Sequence, residues 1–204
     1  MSVRGILTIL VAAVLVCGAA SLAQAQSASP KAAKSTAAKP EPAKQETRPA
    51  AVAGGPEPTL IGQFGTWGAY TATPNGKKVC FALAKPASSK TNPPNRPRDP
   101  AYAFVSTRPA EKVTNEVSVM IGYTLKAGSE STLEVGGASF AMYTQGDGLW
   151  IKNAAEEERM VEAMRKAADV TVKGVSAKGT ETTDTFSLKG LSQALDRLAQ
   201  DCRR

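Results

Sequence analysis

The sequence predicts a mainly β domain, a single antiparallel β-sandwich or barrel-like fold of about nine short strands carrying two amphipathic helices. Three observations carry that expectation. After residue 58 the apolar residues recur mostly with period two, the signature of half-buried strands. Turn-forming pairs and triplets rich in Gly, Pro and Asn separate the alternating runs at short intervals. Only two segments switch to the helical period.

Taken in chain order, the alternating runs are 65–72, 77–84, 101–107, 116–123, 132–135, 139–144, 149–152, 170–177 and 182–188. The run at 116–123 is the cleanest, with Val117, Val119, Ile121 and Tyr123 on one face and Glu116, Ser118 and Met120 on the other. Pro74-Asn75-Gly76, Gly136-Gly137 and Gly146-Asp147-Gly148 are hairpin signals. Residues 154–168 form the first helix, placed before the last strands. Its stripe is Met160, Ala163, Met164, Ala167 and Ala168, with Glu156, Glu157 and Glu158 in the first turn, where the helix dipole favours acids, and Asn153 as its N-cap. The second helix, Leu191–Cys202, repeats at i, i+3, i+4 and i+7 through Leu191, Ala194, Leu195, Leu198, Ala199 and Cys202. Between these elements, 85–100 holds five prolines and four cations, and is expected to be exposed, extended and without secondary structure. Its cations Lys85, Lys90, Arg96 and Arg98 are the candidate binding residues of the chain.

The amino-terminal part reads as an address. Arg4 precedes an apolar run from Ile6 to Val16, and small residues end in Ala23-Gln24-Ala25. That is the pattern of a secretory signal peptide, 1–25, cut after Ala25. The run is too short for a spanning helix, which needs roughly 20 residues. Cys17 would suit a lipoprotein cut only if a small residue preceded it, and Val16 stands there. Residues 26–57 are built mainly from Ala, Pro, Lys, Ser, Gln and Glu, too few apolar groups to offset ordering entropy, and read as a disordered tether. The expected domain is 58–204, in the periplasm, outside the cell or associated with the outer membrane.

Of the formal charge of +7, the domain carries +4, from 19 basic and 15 acidic residues. This mild excess suits anionic surfaces, but no dense basic stripe with interleaved aromatics supports nucleic-acid binding. Two cysteines follow the predicted cut, Cys80 and Cys202, and an even count in an exported chain reads as a disulfide. The alternative is two unpaired thiols, one of them reactive. Cys80 shares a strand face with small Ala82 and Ala84, where a helix carrying Cys202 could dock closely.

The chain has no histidine, which excludes Ser-His-Asp and Cys-His nucleophile systems and almost all zinc or copper sites. Nucleotide-cradling glycine motifs are missing as well, so no cofactor is expected. Ser176-Ala177-Lys178-Gly179 and Ser187-Leu188-Lys189-Gly190 fall at strand ends and read as turns rather than as Ser-Lys nucleophiles. Paired carboxylates remain, with Glu116, Glu134, Asp147 and Asp184 as candidates, all expected to be surface acids. Trp67, Trp150, Tyr70 and Tyr143 are expected in packing before any ligand platform.

Several stretches, in order, resemble the invasion-associated locus B family of alphaproteobacterial exported proteins. They are Phe64-Gly65-Thr66-Trp67-Gly68-Ala69-Tyr70, Lys78-Val79-Cys80-Phe81-Ala82-Leu83-Ala84, Arg98-Asp99-Pro100-Ala101-Tyr102, Thr107-Arg108-Pro109, Asn115-Glu116-Val117-Ser118 and the ending from Thr183 to Leu191 with Ala194, Leu195 and Cys202. The resemblance implies a non-enzymatic envelope or surface protein, linked in pathogenic members with host-cell entry, and supplies no catalytic residues. Its expected partners are an envelope polymer, a protein, or the host-cell surface. Many relatives carry a cysteine shortly after the tryptophan. Here Gly68-Ala69-Tyr70-Thr71 stands instead, leaving Cys202 as the one candidate partner of Cys80. The competing expectation is an envelope-acting enzyme or accessory that uses carboxylates without histidine.

Overall fold

The structure, a computed structural model, describes residues 57–202. The expected leader with its cut after Ala25, and the tether up to residue 56, lie outside the described residues. Eleven strands are described: β1 (Thr59–Phe64), β2 (Trp67–Ala72), β3 (Val79–Ala84), β4 (Ser88–Asn92), β5 (Tyr102–Arg108), β6 (Val113–Met120), β7 (Ser131–Val135), β8 (Ala138–Gln145), β9 (Gly148–Ile151), β10 (Asp169–Val175) and β11 (Glu181–Ser187). Helix α1 (Glu157–Lys166) precedes β10, and α2 (Leu191–Cys202) follows β11. All pairings are antiparallel, in one sheet of order β1-β2-β3-β5-β6-β9-β8-β7-β10-β11-β4. Tight turns impose much of this order. Gly136 and Gly137, both at positive φ, make the two-residue connection between Val135 and Ala138, which pair directly.

Two strands go beyond the nine of the sequence pattern, and both are sheet edges. In β1 the register shifts between Leu60 and Gly62, and most of the strand stays exposed or half-buried, so no clean alternation marks it. β4 lies inside the segment expected to lack secondary structure. Ser-Ser-Lys-Thr-Asn has no apolar residue, yet its backbone pairs with β11 from Thr185↔Ser88 to Glu181↔Asn92. Apolar period cannot register a strand held by ladder bonds alone.

One core runs under most of the sheet. Along β3 the alternation sends Cys80, Ala82 and Ala84 inward, while Phe81 and Leu83 join Tyr70, Tyr102 and Phe104 in a smaller cluster on the other face. The large inward side chains include Ile121, Leu133, Phe140, Leu149 and Phe186, all buried. Fully burying such a side chain contributes about 1.5–3 kcal/mol. α1 supplies Met160, Val161 and Met164 to this core. A 3-10 turn, Ala154–Glu156, leads into it, and the Asn153 side chain accepts the Ala155 N–H. α2 lies against β2 and β3 through Leu191, Ala194, Leu195 and Leu198. The small Ala69 and Ala82 let it approach until Cys80 and Cys202 join in a disulfide with Cα atoms 6.1 Å apart. That spacing lies inside the roughly 4.4–6.8 Å window of ordinary bridges.

The sheet curls back on itself at two places. At the first, the β1–β2 turn meets the β11–α2 turn. Thr66 N donates to Lys189 O at 3.2 Å, and the buried Trp67 indole N–H donates to Ser187 O at 2.9 Å. The approach is so close that a Cβ on Gly65 would strike the Lys189 carbonyl, and one on Gly190 the Phe64 carbonyl. Both glycines also hold positive φ, so this corner requires them twice over. At the second, the chain beyond β6 returns to the end of β10. Lys126 N donates to Val175 O and Ala177 N to Thr124 O, both at 2.9 Å, around the bridge Leu125↔Ser176. This return leaves a cleft beside the 85–100 segment.

Candidate binding cleft

The cleft has a volume of about 460 Å³ and is built where strand alternation turns from apolar to polar. On β11 the inward row runs from Phe186 in the core through Asp184 to Thr182. On β4, Ser89 and Thr91 stand opposite Asp184 and Thr182. Tyr123, on the return segment, shares a 2.7 Å hydrogen bond with the Thr182 hydroxyl. Burial, the largest influence, pushes the Tyr123 phenol pKa above its ordinary value, against the opposing Thr182 bond. The β10–β11 turn closes one wall: Ser176 N donates to Thr180 O at 2.8 Å, and Thr180 N returns a bond to Ser176 Oγ at 2.9 Å. That turn carries Lys178 on the cleft lining, with Arg96 from the Pro-rich segment also on it. The serine-lysine turns expected at 176–179 and 187–190 are turns here.

The four cations of the 85–100 segment do not share one environment. Lys85, Lys90 and Arg96 are exposed. Arg98 is drawn in, its side chain only 11% exposed, and grips Asp184, which has no exposed surface. One guanidinium nitrogen donates to Asp184 at 2.7 Å and to Ile121 O at 2.8 Å; the other donates to Asp184 and, at 3.0 Å, to Ser89 Oγ. This fork-on-carboxylate arrangement compensates a charge that would otherwise be very costly to bury. Asp99 N donates to Gly122 O beside it at 3.0 Å. The segment is therefore fixed at β4 and again at Arg98. Asp184, expected at the surface, is instead its buried anchor, because even-numbered residues of β11 face inward with Phe186.

The other candidate acids do not converge with it. Glu116 accepts from Arg108 at 2.6 Å, Glu134 from Lys173 at 2.8 Å, and Asp147 occupies the exposed β8–β9 turn. A second hollow, between β6 and α1, is lined by Glu157, Glu158 and Glu162 with Asn115 and Arg165. Burial raises the Glu157 pKa most, with nearby Glu116 adding to it, while the Val117 N–H bond to its carboxylate at 2.9 Å opposes both. That bond ties α1 to β6. Among the described residues no group of three or more acids or cysteines could hold a metal ion, and no helix is long and apolar enough to cross a membrane.

The four aromatics form no common platform. Trp67 is core, Tyr70 stacks on Phe81 with centroids 5.3 Å apart, and Tyr143 stacks on Trp150 at 5.8 Å with 45% of its surface exposed. Sequence reasoning missed Tyr123, Thr182 and Lys178 as cleft residues. The inward parity of residues 182, 184 and 186 was the one available signal.

No curated protein and no solved structure gives a significant match to the chain. The family model described as Invasion associated locus B (IalB) protein matches residues 67–199, from the buried Trp67 of β2 into the last turn of α2. Cys80, the Arg98–Asp184 anchor and the cleft fall inside that match, Cys202 lies three residues past its end, and the chain belongs to the invasion-associated locus B family.

Proposed function

We propose that the chain is an exported, non-enzymatic binding module that presents its 85–100 segment to anionic envelope or cell-surface material. Family membership and the disulfide point to an extracytoplasmic protein, and the family is not one of known enzymes. The observation that carries the reading is the Arg98–Asp184 clamp. It holds a cation-bearing loop in one arrangement, so a ligand need not meet the cost of ordering it. Lys85, Lys90 and Arg96 then face outward from a rigid frame, and Arg98 acts as their anchor. In a pathogen the same surface would meet the host cell.

The test is binding of the isolated chain to envelope extract and to host-cell membranes. Binding should saturate, weaken with salt, and fall severalfold in a Lys90→Gln/Arg96→Gln variant. Unchanged binding in that variant would remove the loop from the interface. Turnover of envelope material by the purified chain, abolished by Glu157→Gln, would replace a binding module with an acid-using enzyme.

A further inference from the structure

The cleft beside the loop has a chemistry of its own. Its lining offers the hydroxyls of Thr91, Tyr123 and Thr180, with two cations, Arg96 and Lys178, from different walls. No carboxylate is among the described lining residues. Arg98 also borders it, but that charge is matched by Asp184 behind it. The unmatched field at the mouth is therefore positive and comes from Arg96 and Lys178. Thr91 Oγ accepts the Arg96 N–H at 3.2 Å, which holds the arginine backbone over the strand. The volume falls within the roughly 300–1,000 Å³ typical of small-ligand sites.

These features restrict the ligand. Much of the lining is apolar carbon, including Pro97, Ala177 and the Tyr123 ring, which suits the carbon face of a sugar ring. A lipid chain would leave Arg96, Lys178 and the hydroxyls without partners. A lone inorganic anion would leave the hydroxyls unused. A compound with one acidic group and several hydroxyls would use both sets. A guanidinium meets a carboxylate through paired hydrogen bonds, and an ammonium meets it as a point charge. Hydroxyl donors and acceptors along the wall suit a pyranose ring.

We propose that this cleft binds acidic sugar units, the carboxylate held between Arg96 and Lys178 and the ring hydroxyls bonded to Tyr123, Thr91 and Thr180. The assignment deepens the reading of the domain as a binding module and rests on it. Two sources share this chemistry, uronic acids of envelope polymers and those of animal-cell glycans.

The experiment titrates the chain isolated from expressing cells with tetragalacturonate, fully methyl-esterified tetragalacturonate, a hyaluronan tetrasaccharide and inorganic phosphate. Calorimetry reads affinity, and amide chemical shifts read position. At least one acidic tetrasaccharide should bind saturably and shift the amides of Thr91, Tyr123 and Thr180. The methyl ester should bind about tenfold or more weakly, and Arg96→Gln and Lys178→Gln should each weaken the acid about tenfold. Tighter binding of hyaluronan assigns the host source, and tighter binding of tetragalacturonate the envelope source. Either outcome supports the site. The proposal is overturned if neither acid binds, if acid and ester bind alike, if phosphate binds as tightly as the tetrasaccharides, or if both variants bind unchanged. The ester comparison uses the unaltered chain, so it decides even where a variant folds poorly. Envelope binding that Lys90→Gln weakens, without any tetrasaccharide binding, sinks the cleft and leaves the broader function standing; loss of both sinks the two together.

Discussion

Replacing Cys202 with serine should cost this domain more than any other single change. The bridge to Cys80 spans 122 positions of chain. In the chain-entropy treatment, closing such a loop removes about 16 cal/mol/K from the unfolded ensemble, or about 5 kcal/mol at room temperature. A domain of this size loses about 3 °C of melting temperature per kcal/mol, so the expected fall is about 15 °C. Cys80 is wholly buried and Cys202 nearly so, and a serine hydroxyl left there adds a desolvation cost. A Cys80→Ala/Cys202→Ala variant removes that second contribution and isolates the first. Calorimetry of the three proteins, with thiol titration in denaturant, checks the reasoning. A single free thiol in Cys202→Ser and none in the parent are expected. Two free thiols in the parent, or a fall of only a few degrees in both variants, would refute it.

The remaining predictions concern the anchor, the acids and the corner. Arg98→Met strands the buried Asp184 carboxylate and should cost about 3–5 kcal/mol, while Arg98→Met/Asp184→Leu should recover much of the loss by chemical denaturation. Additive losses in the double variant would remove the pair as a unit. Glu157 has its pKa raised in the fold, above the ordinary 4.5, so the folded state binds this proton more tightly than the unfolded one. Its contribution to stability is fully present below pH 4.5 and is lost as pH rises through the raised value. Glu157→Gln keeps an acceptor for the Val117 N–H and should flatten that decline in denaturation curves across the weakly acidic range. An unaltered slope would clear Glu157 of the effect. Gly190→Ala forces a Cβ onto the Phe64 carbonyl at positive φ and should lose well over the about 1–3 kcal/mol of backbone strain alone, while Gly76→Ala, with open space around its Cβ, should lose no more than that strain. Equal losses at the two positions, read by thermal melting, would remove the corner collision.

What could be read in advance follows from what each element is held by. α2 is legible to the residue because a single apolar stripe, Leu191 to Cys202, both forms it and docks it. The Gly136-Gly137 hairpin and the buried face through Val117, Val119 and Ile121 are legible for the same reason, since turn chemistry and side-chain parity are local. The strand bounds are not, because β6 spans Val113–Met120 and the expected run of 116–123 carries past its end to Tyr123 on the return segment. β4 is invisible because its polar side chains do not build the core, and only the partner strand β11 makes it a strand. The expected stripe of the first helix runs on to Ala167 and Ala168, which lie beyond the end of α1 at Lys166, with Ala168 exposed. It also omits Val161, which is buried beside Met160 and Met164. Arg98 and Asp184 stand 86 positions apart, and nothing near either residue announces the other. Composition marked the loop as basic and exposed, which holds for Lys85, Lys90 and Arg96 and fails for the one arginine that a tertiary contact claims.

That failure bears on how the segment can work. A loop with five prolines is stiff but has no preferred place, and binding through it would have to supply the order. β4 fixes its first half by backbone bonds, and Arg98 fixes its end by reaching inward past Ser89 to Asp184. Arg96 lies between those two fixed points, on the cleft lining with Lys178. The buried pair therefore governs the cleft without bordering it with a free charge. Weakening the pair should loosen Arg96 before it unfolds the sheet, so ligand affinity should fall in Arg98→Lys while most of the melting temperature is retained. A lysine keeps the charge but cannot reach Asp184, Ser89 and Ile121 through one planar fork. Equal affinity in parent and Arg98→Lys would mean that loop order does not limit binding, and the clamp would then be a stability device alone.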